Sequence, residues 1–149
     1  MGEHVKDTEI VSRIDTDLSV SKDAMRSSPS RAQAIADGEL VAVEPGIAAE
    51  AGWNAPVAIS RAAWDDCVAW SDEDTARQVP QDETGRLWDV LYMTAARARR
   101  GFDTDMYAEL YRVPRGGRAR KARLVRVRCS IGFGDEREPV ITIRQADEA

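Results

Sequence analysis

The chain has 149 residues, 43% of them hydrophobic and 32% charged, with a formal net charge of -5. That is enough for one domain with a real core, and it excludes collagen-like and disulfide-rich classes. With one histidine, His4, and two cysteines, Cys67 and Cys129, that form no CxxC, the inventory argues against Ser-His-Asp or Cys-His catalysis and against most His- or Cys-ligated metal sites.

Residues 1–29 are polar, rich in Ser and Asp and free of aromatics. They read as a flexible N-terminal arm, with Ile10, Val11, Ile14 and Leu18 at the spacing of a short, partner-dependent helix. Order is expected from Ser30, where Ser30-Arg31-Ala32-Gln33 fits a capping box and Gly38 can close the helix. Glu39–Val43 reads as a short strand ended by Pro45, and Ile47–Ala51 as a brief helix closed by Gly52. Pro56–Ile59 reads as an extended approach to a helix over Arg61–Trp70, capped by Ser60. Ser71-Asp72-Glu73-Asp74 reads as a loop. Asp82 or Thr84 then opens the longest helix, roughly 84–100, with Leu87, Trp88, Leu91, Tyr92 and Ala95 as its apolar stripe and Gly101 as its stop.

The last third alternates with period two. Met106–Val113 forms one strand, and Pro114-Arg115-Gly116-Gly117 is turn chemistry. In the next strand Val125, Val127, Cys129 and Ile131 share a face. Pro139–Ile143 is the third strand, with proline at a permitted first position. The expected fold is α+β: two or three helices packed on a three-stranded antiparallel meander, with residues 30–146 as a single domain behind the arm.

Four blocks share the same order as an uncharacterised small-protein family. They are Ser30–Val41, Ala51-Gly52-Trp53 with Pro56–Ile59, Gly85–Leu91, and Gly134-Asp135 with Glu138–Ile143. Over about residues 30–144 the chain resembles that family, which is carried on bacterial plasmids, phages and other mobile elements. The resemblance implies a genomic setting and no reaction.

Charge falls in blocks. Residues 1–90 carry 8 basic and 18 acidic side chains, 91–130 carry 11 and 3, and 131–149 carry 2 and 5. Such asymmetry marks a partner surface, or two blocks that face each other and cancel. Candidate partner-binding residues on the acidic side are Asp65, Asp66, Asp72, Glu73 and Asp74, since a rigid carboxylate array imitates a phosphate backbone. Trp53 and Trp70 are candidate exposed anchors, whereas Trp64 and Trp88 sit on apolar helix faces and read as core. The basic candidates are Arg112, Arg115, Arg118, Arg120, Lys121, Arg123, Arg126 and Arg128, in a loop of mobile cations and on one strand face. Their planar guanidinium forks suit phosphate or carboxylate.

No run approaches the roughly 18 apolar residues of a membrane span, and the start lacks the pattern of a secretion signal. The expectation is a cytoplasmic protein with reduced thiols, no membrane contact and no cofactor or metal. It is a non-enzymatic mobile-element accessory protein that binds another protein stoichiometrically, as an inhibitor of a host defence or nucleic-acid-processing complex. One alternative is a nucleic-acid-binding accessory protein using the arginine hairpin. The other, least favoured, is a carboxylate-dependent enzyme.

Overall fold

The structure, a computed structural model, describes residues 30–148. The expected arm over 1–29, with its helix at Ile10–Leu18, lies outside the described residues. In chain order the elements are α1 (Arg31–Ala36), β1 (Leu40–Ala42), α2 (Pro45–Ala51), β2 (Val57–Ser60), α3 (Arg61–Cys67), α4 (Asp72–Arg77), α5 (Glu83–Arg99), β3 (Asp105–Arg112), β4 (Arg123–Phe133) and β5 (Pro139–Gln145).

The strands form one five-stranded mixed sheet in the order β1-β2-β5-β4-β3. This overturns the expected three-stranded antiparallel meander. The strands β3, β4 and β5 do pair antiparallel in succession, but β2 runs parallel along β5, with Val57 opposite Ile141 and Ile59 opposite Ile143. β1 adds an antiparallel edge through Val41 opposite Ile59. The helices number five among the described residues rather than two or three. The run Pro56–Ile59, expected as an extended approach to a helix, leads instead through the exposed Pro56 into an interior strand, Val57–Ser60. All four of its residues are buried, and a strand buried on both faces shows no alternation to read.

Local chemistry explains the helix ends. Ser60 accepts from the Ala63 amide and opens α3, and Asp82 accepts from the Gly85 amide and opens α5. Gly52 closes α2 at a φ of 118°, and a Cβ there would stand 2.8 Å from Arg99 Nη1. The guanidinium end can move, so it is the left-handed φ that calls for glycine. Ser30 caps α1 as expected, but Gln33 donates to Asp37 rather than completing a capping box. The run at Ser71–Asp74, expected as a loop, is the start of α4: Ser71 and Asp74 form a reciprocal capping box, in which an aspartate does the work usually given to glutamate.

Helices α2, α3 and α5 cover one face of the sheet. Ala48 and Ala51, Ala63 and Cys67, and Val90, Leu91 and Ala95 pack there against Ile59, Met106, Ala108, Leu110, Val127, Cys129, Ile141 and Ile143. Helix α1 lies against the opposite face at β5. Arg31 donates to Thr142 Oγ1 and to the Ile141 carbonyl, both at 2.8 Å. Asp135 accepts from the amides of Arg31 and Ala32, and those two amides hold its carboxyl below the usual carboxylate range.

Candidate functional site

The β3–β4 hairpin pairs from Asp105 opposite Ser130 to Arg112 opposite Arg123. Its loop was expected to carry mobile cations, but its base is clamped. The buried Gln78, just after α4, donates to the carbonyls of Pro114 at 2.8 Å and Ala119 at 2.7 Å and accepts from the Gly116 amide at 3.0 Å. Beyond that clamp Arg118, Arg120, Lys121 and Arg123 are exposed.

The acidic and basic candidates partly consume each other. Asp66 stands 3.0 Å from Arg112, and Asp74 2.7 Å from Arg115. Asp74 is buried. Burial alone would raise its pKa, but hydrogen bonds from Arg115 and Ser71 outweigh that and hold it at about 2. Asp65 pairs with Arg61 across one helical turn at 3.7 Å, both exposed, a contact worth about 0.5 kcal/mol or less. Asp72 and Glu73 sit exposed in the first turn of α4, where the helix dipole favours them. A continuous carboxylate array is therefore absent from this part of the surface: two of its five members, Asp66 and Asp74, are neutralised by the hairpin.

Two of the four tryptophans depart from expectation. Trp53 is 7% exposed and Trp70 6%, which corrects their reading as exposed anchors. Trp53 Nε1 donates to Thr94 Oγ1 at 3.2 Å, and its ring meets Phe102 edge-on. Trp70 Nε1 donates to Thr75 Oγ1 at 3.0 Å. Trp64 and Trp88, read as core, are half-buried against the core's margin, and Trp88 stacks on the exposed Tyr92.

Sequence reasoning missed Gln78 and Arg86. Arg86 is 5% exposed and donates to the carbonyls of Val68, Val113 and Asp66 and to Gln81 Oε1. Its guanidinium lies 4.6 Å over the Trp70 ring. Desolvation pushes its pKa down, yet the surrounding acceptors suit a guanidinium. It ties α5 to the end of α3 and to the hairpin. The available signal was its place one residue before Leu87, on the line that continues through Val90 and Thr94.

The sheet face opposite the main helices differs along its length. Near β5 it carries α1. Toward the hairpin end it presents Tyr107, Tyr111, Leu124 and Arg126, all exposed. Tyr111 and Leu124 are directly opposed across the strands and are 66% and 52% exposed. Arg126 lies opposite Glu109 and stacks at 4.2 Å on the Tyr107 ring. Arg128, on the same face, is half-buried and 3.9 Å from Asp105. The structure thus brings Arg126 together with two tyrosines and a leucine that were not singled out, beside the exposed cations of the loop.

Both thiols are buried and free. Desolvation, then the neighbouring Asp66, pushes Cys67 up to about 12. Desolvation and Asp105 do the same for Cys129. Such thiols are poor nucleophiles at neutral pH. Among the described residues no three His, Cys, Asp or Glu side chains converge to hold a metal, and no helix is long and apolar enough to cross a membrane. Comparison with protein-family models, curated proteins and solved structures gives no match. The likeness to a mobile-element family therefore remains a resemblance of sequence.

Proposed function

We propose that the protein is a non-enzymatic binding protein that engages another protein through the hairpin end of its open sheet face. The observation that supports this reading is the Tyr111–Leu124 pair, apolar, opposed in register and left in solvent. Burying two such side chains yields about 1.5–3 kcal/mol each, and tyrosine and arginine are the residue types that dominate interface hot spots. Arg118, Arg120, Lys121 and Arg123 lie beside the pair in sequence and pairing. They would meet carboxylates at the rim and speed encounter with an acidic partner surface. In the setting the sequence resemblance implies, the partner is a host defence or nucleic-acid-processing complex, and inhibition follows from occupying its surface.

The stacked Arg126–Tyr107 pair favours a second reading, in which the same face takes single-stranded nucleic acid. One experiment separates the two. The double variant Tyr111→Asp/Leu124→Asp and the wild type are used to retain partners from a host lysate, and each is titrated with labelled single-stranded and duplex nucleic acid at two salt concentrations. A protein retained in one-to-one stoichiometry by the wild type and lost by the variant supports the first reading. Micromolar nucleic-acid binding that steepens at low salt and disappears with Arg126→Glu replaces it with the second.

A further inference from the structure

Among the described residues strand β3 is an edge of the sheet, and its side turned away from β4 is a place for one more strand. The Ile131 amide donates to the Thr104 carbonyl at 2.9 Å. Thr104 therefore faces β4, and alternation sends the main-chain groups of Asp105, Tyr107, Glu109 and Tyr111 the other way, outward from the sheet. The edge is eight residues long and contains no proline, one of the devices that block pairing. Beside it runs a groove of about 800 Å³, lined by Met93, Ala96, Arg97 and Arg100 from α5 and by β3 itself. The lining includes both Met106 and Ala108 from the helix side and Tyr107 and Glu109 from the open side, so the groove lies along the edge, with α5 as its floor.

Charge in the groove is uneven. Glu109 stands opposite Arg126, and Asp105 is 3.9 Å from Arg128. Arg97, which donates to the Gly101 carbonyl, and Arg100, at the end of α5, line the groove with the remaining acid, Asp103. Arg100 lies seven residues beyond Met93 on the helix, roughly 10 Å along its axis.

We infer that this groove binds an extended segment of a partner protein by strand addition to β3. The bound segment pairs with the outward main-chain groups of Tyr107, Glu109 and Tyr111. It places an apolar side chain against Met93 and Ala96, and an acidic one near Arg97 and Arg100. Main-chain pairing supplies the affinity and the alternate side chains the choice of partner. This deepens the protein-binding reading by giving one partner segment its shape and chemistry.

The probe is a set of octapeptides selected on the full 149-residue chain from a random displayed library. In the free protein the amides of Tyr107, Glu109 and Tyr111 are expected to exchange at least about 100-fold faster than those of Met106, Ala108 and Leu110. Saturation with a selected peptide should slow those three by at least about tenfold, and Glu109→Pro, which deletes an outward donor and spares the ladder to β4, should weaken binding by at least about tenfold. Arg100→Glu on the exposed helix end gives a second loss that does not depend on the strand tolerating proline. Leu124→Asp, which strikes the open face from β4 and leaves β3 unchanged, should retain the peptide. Failure to select any peptide, peptides indifferent to both Glu109→Pro and Arg100→Glu, or peptides lost with the face variant would each overturn the inference while leaving the open-face reading to its own test. Slow exchange of the three amides in the free monomer would mean that another segment of this chain occupies the edge, and protection that grows with protein concentration would mean that a second copy does. Either result also overturns it.

Discussion

Asp74 and Arg115 meet at 2.7 Å and join the acidic stretch to the arginine hairpin across the mouth of α4. Folding lowers the Asp74 carboxyl from an ordinary 3.8 to about 2. A carboxylate depressed by folding adds stability above its unfolded pKa and gives it up as pH falls through the folded one. The melting temperature should therefore drop between about pH 4 and pH 2, with Asp135 contributing in the same direction. Asp74→Asn should lower the melting temperature at pH 7 and make the acid limb shallower. A limb as steep as that of the wild type would show that the pair does not govern acid stability.

Arg86 donates to the main-chain carbonyls of Val68, Val113 and Asp66. Hydrogen bonds to a charged group are worth about 1.5–3 kcal/mol, and a buried acceptor left unpaired costs about 1–3. Arg86→Met keeps the length and removes the donors, so urea unfolding should report a loss of at least about 3 kcal/mol. Arg86→Lys should recover only part of it, because one ammonium cannot reproduce the fork. A loss near zero in Arg86→Met would mean that water replaces the guanidinium.

Much of this scaffold was legible where one residue decides one local event. Ser60, Asp82, Gly52 and Gly101 end or begin helices by rules that need no tertiary partner. The alternation at Val125, Val127, Cys129 and Ile131 showed a half-buried strand; the first three pack on the helix side, whereas Ile131 is exposed. The parallel β2–β5 pair was not legible, because Val57 and Ile141 are brought together by all the elements between them. Burial of the tryptophans was misread for a related reason. Trp53 has no helical stripe around it, and its partners Thr94 and Phe102 lie far along the chain. The two charge blocks suggested mutual neutralisation but could not say which arginines would be spent. Arg112 and Arg115 are, while Arg118, Arg120, Lys121 and Arg123 are exposed.

The contrast between tryptophans gives a separate expectation. Trp53→Ala empties a packed site and should cost about 3–5 kcal/mol. Trp53→Phe keeps most of the apolar volume and gives up the bond to Thr94, for about 1 kcal/mol. Neither should change partner binding measured well below both melting temperatures, because the ring lies inside. A Trp53→Phe protein of full stability but lost binding would return Trp53 to the binding surface.

Gln78 offers the most direct control over the hairpin loop. Its amide closes on the Pro114 and Ala119 carbonyls and the Gly116 amide from a position that is 2% exposed. Gln78→Ala leaves those groups to find water, which the loop can do by lifting off α4 while the sheet stays paired. Trypsin has sites at Arg115, Arg118, Arg120 and Lys121 in this loop, and a clamped loop resists the extended conformation a protease needs. Limited proteolysis at 25 °C should therefore cut Gln78→Ala within residues 115–121 at least about tenfold faster than the wild type, with the core fragments remaining folded. Asp74→Asn should speed the same cut by less, since it releases only Arg115. Equal cleavage rates in Gln78→Ala and the wild type would show that the loop is held by something other than this side chain.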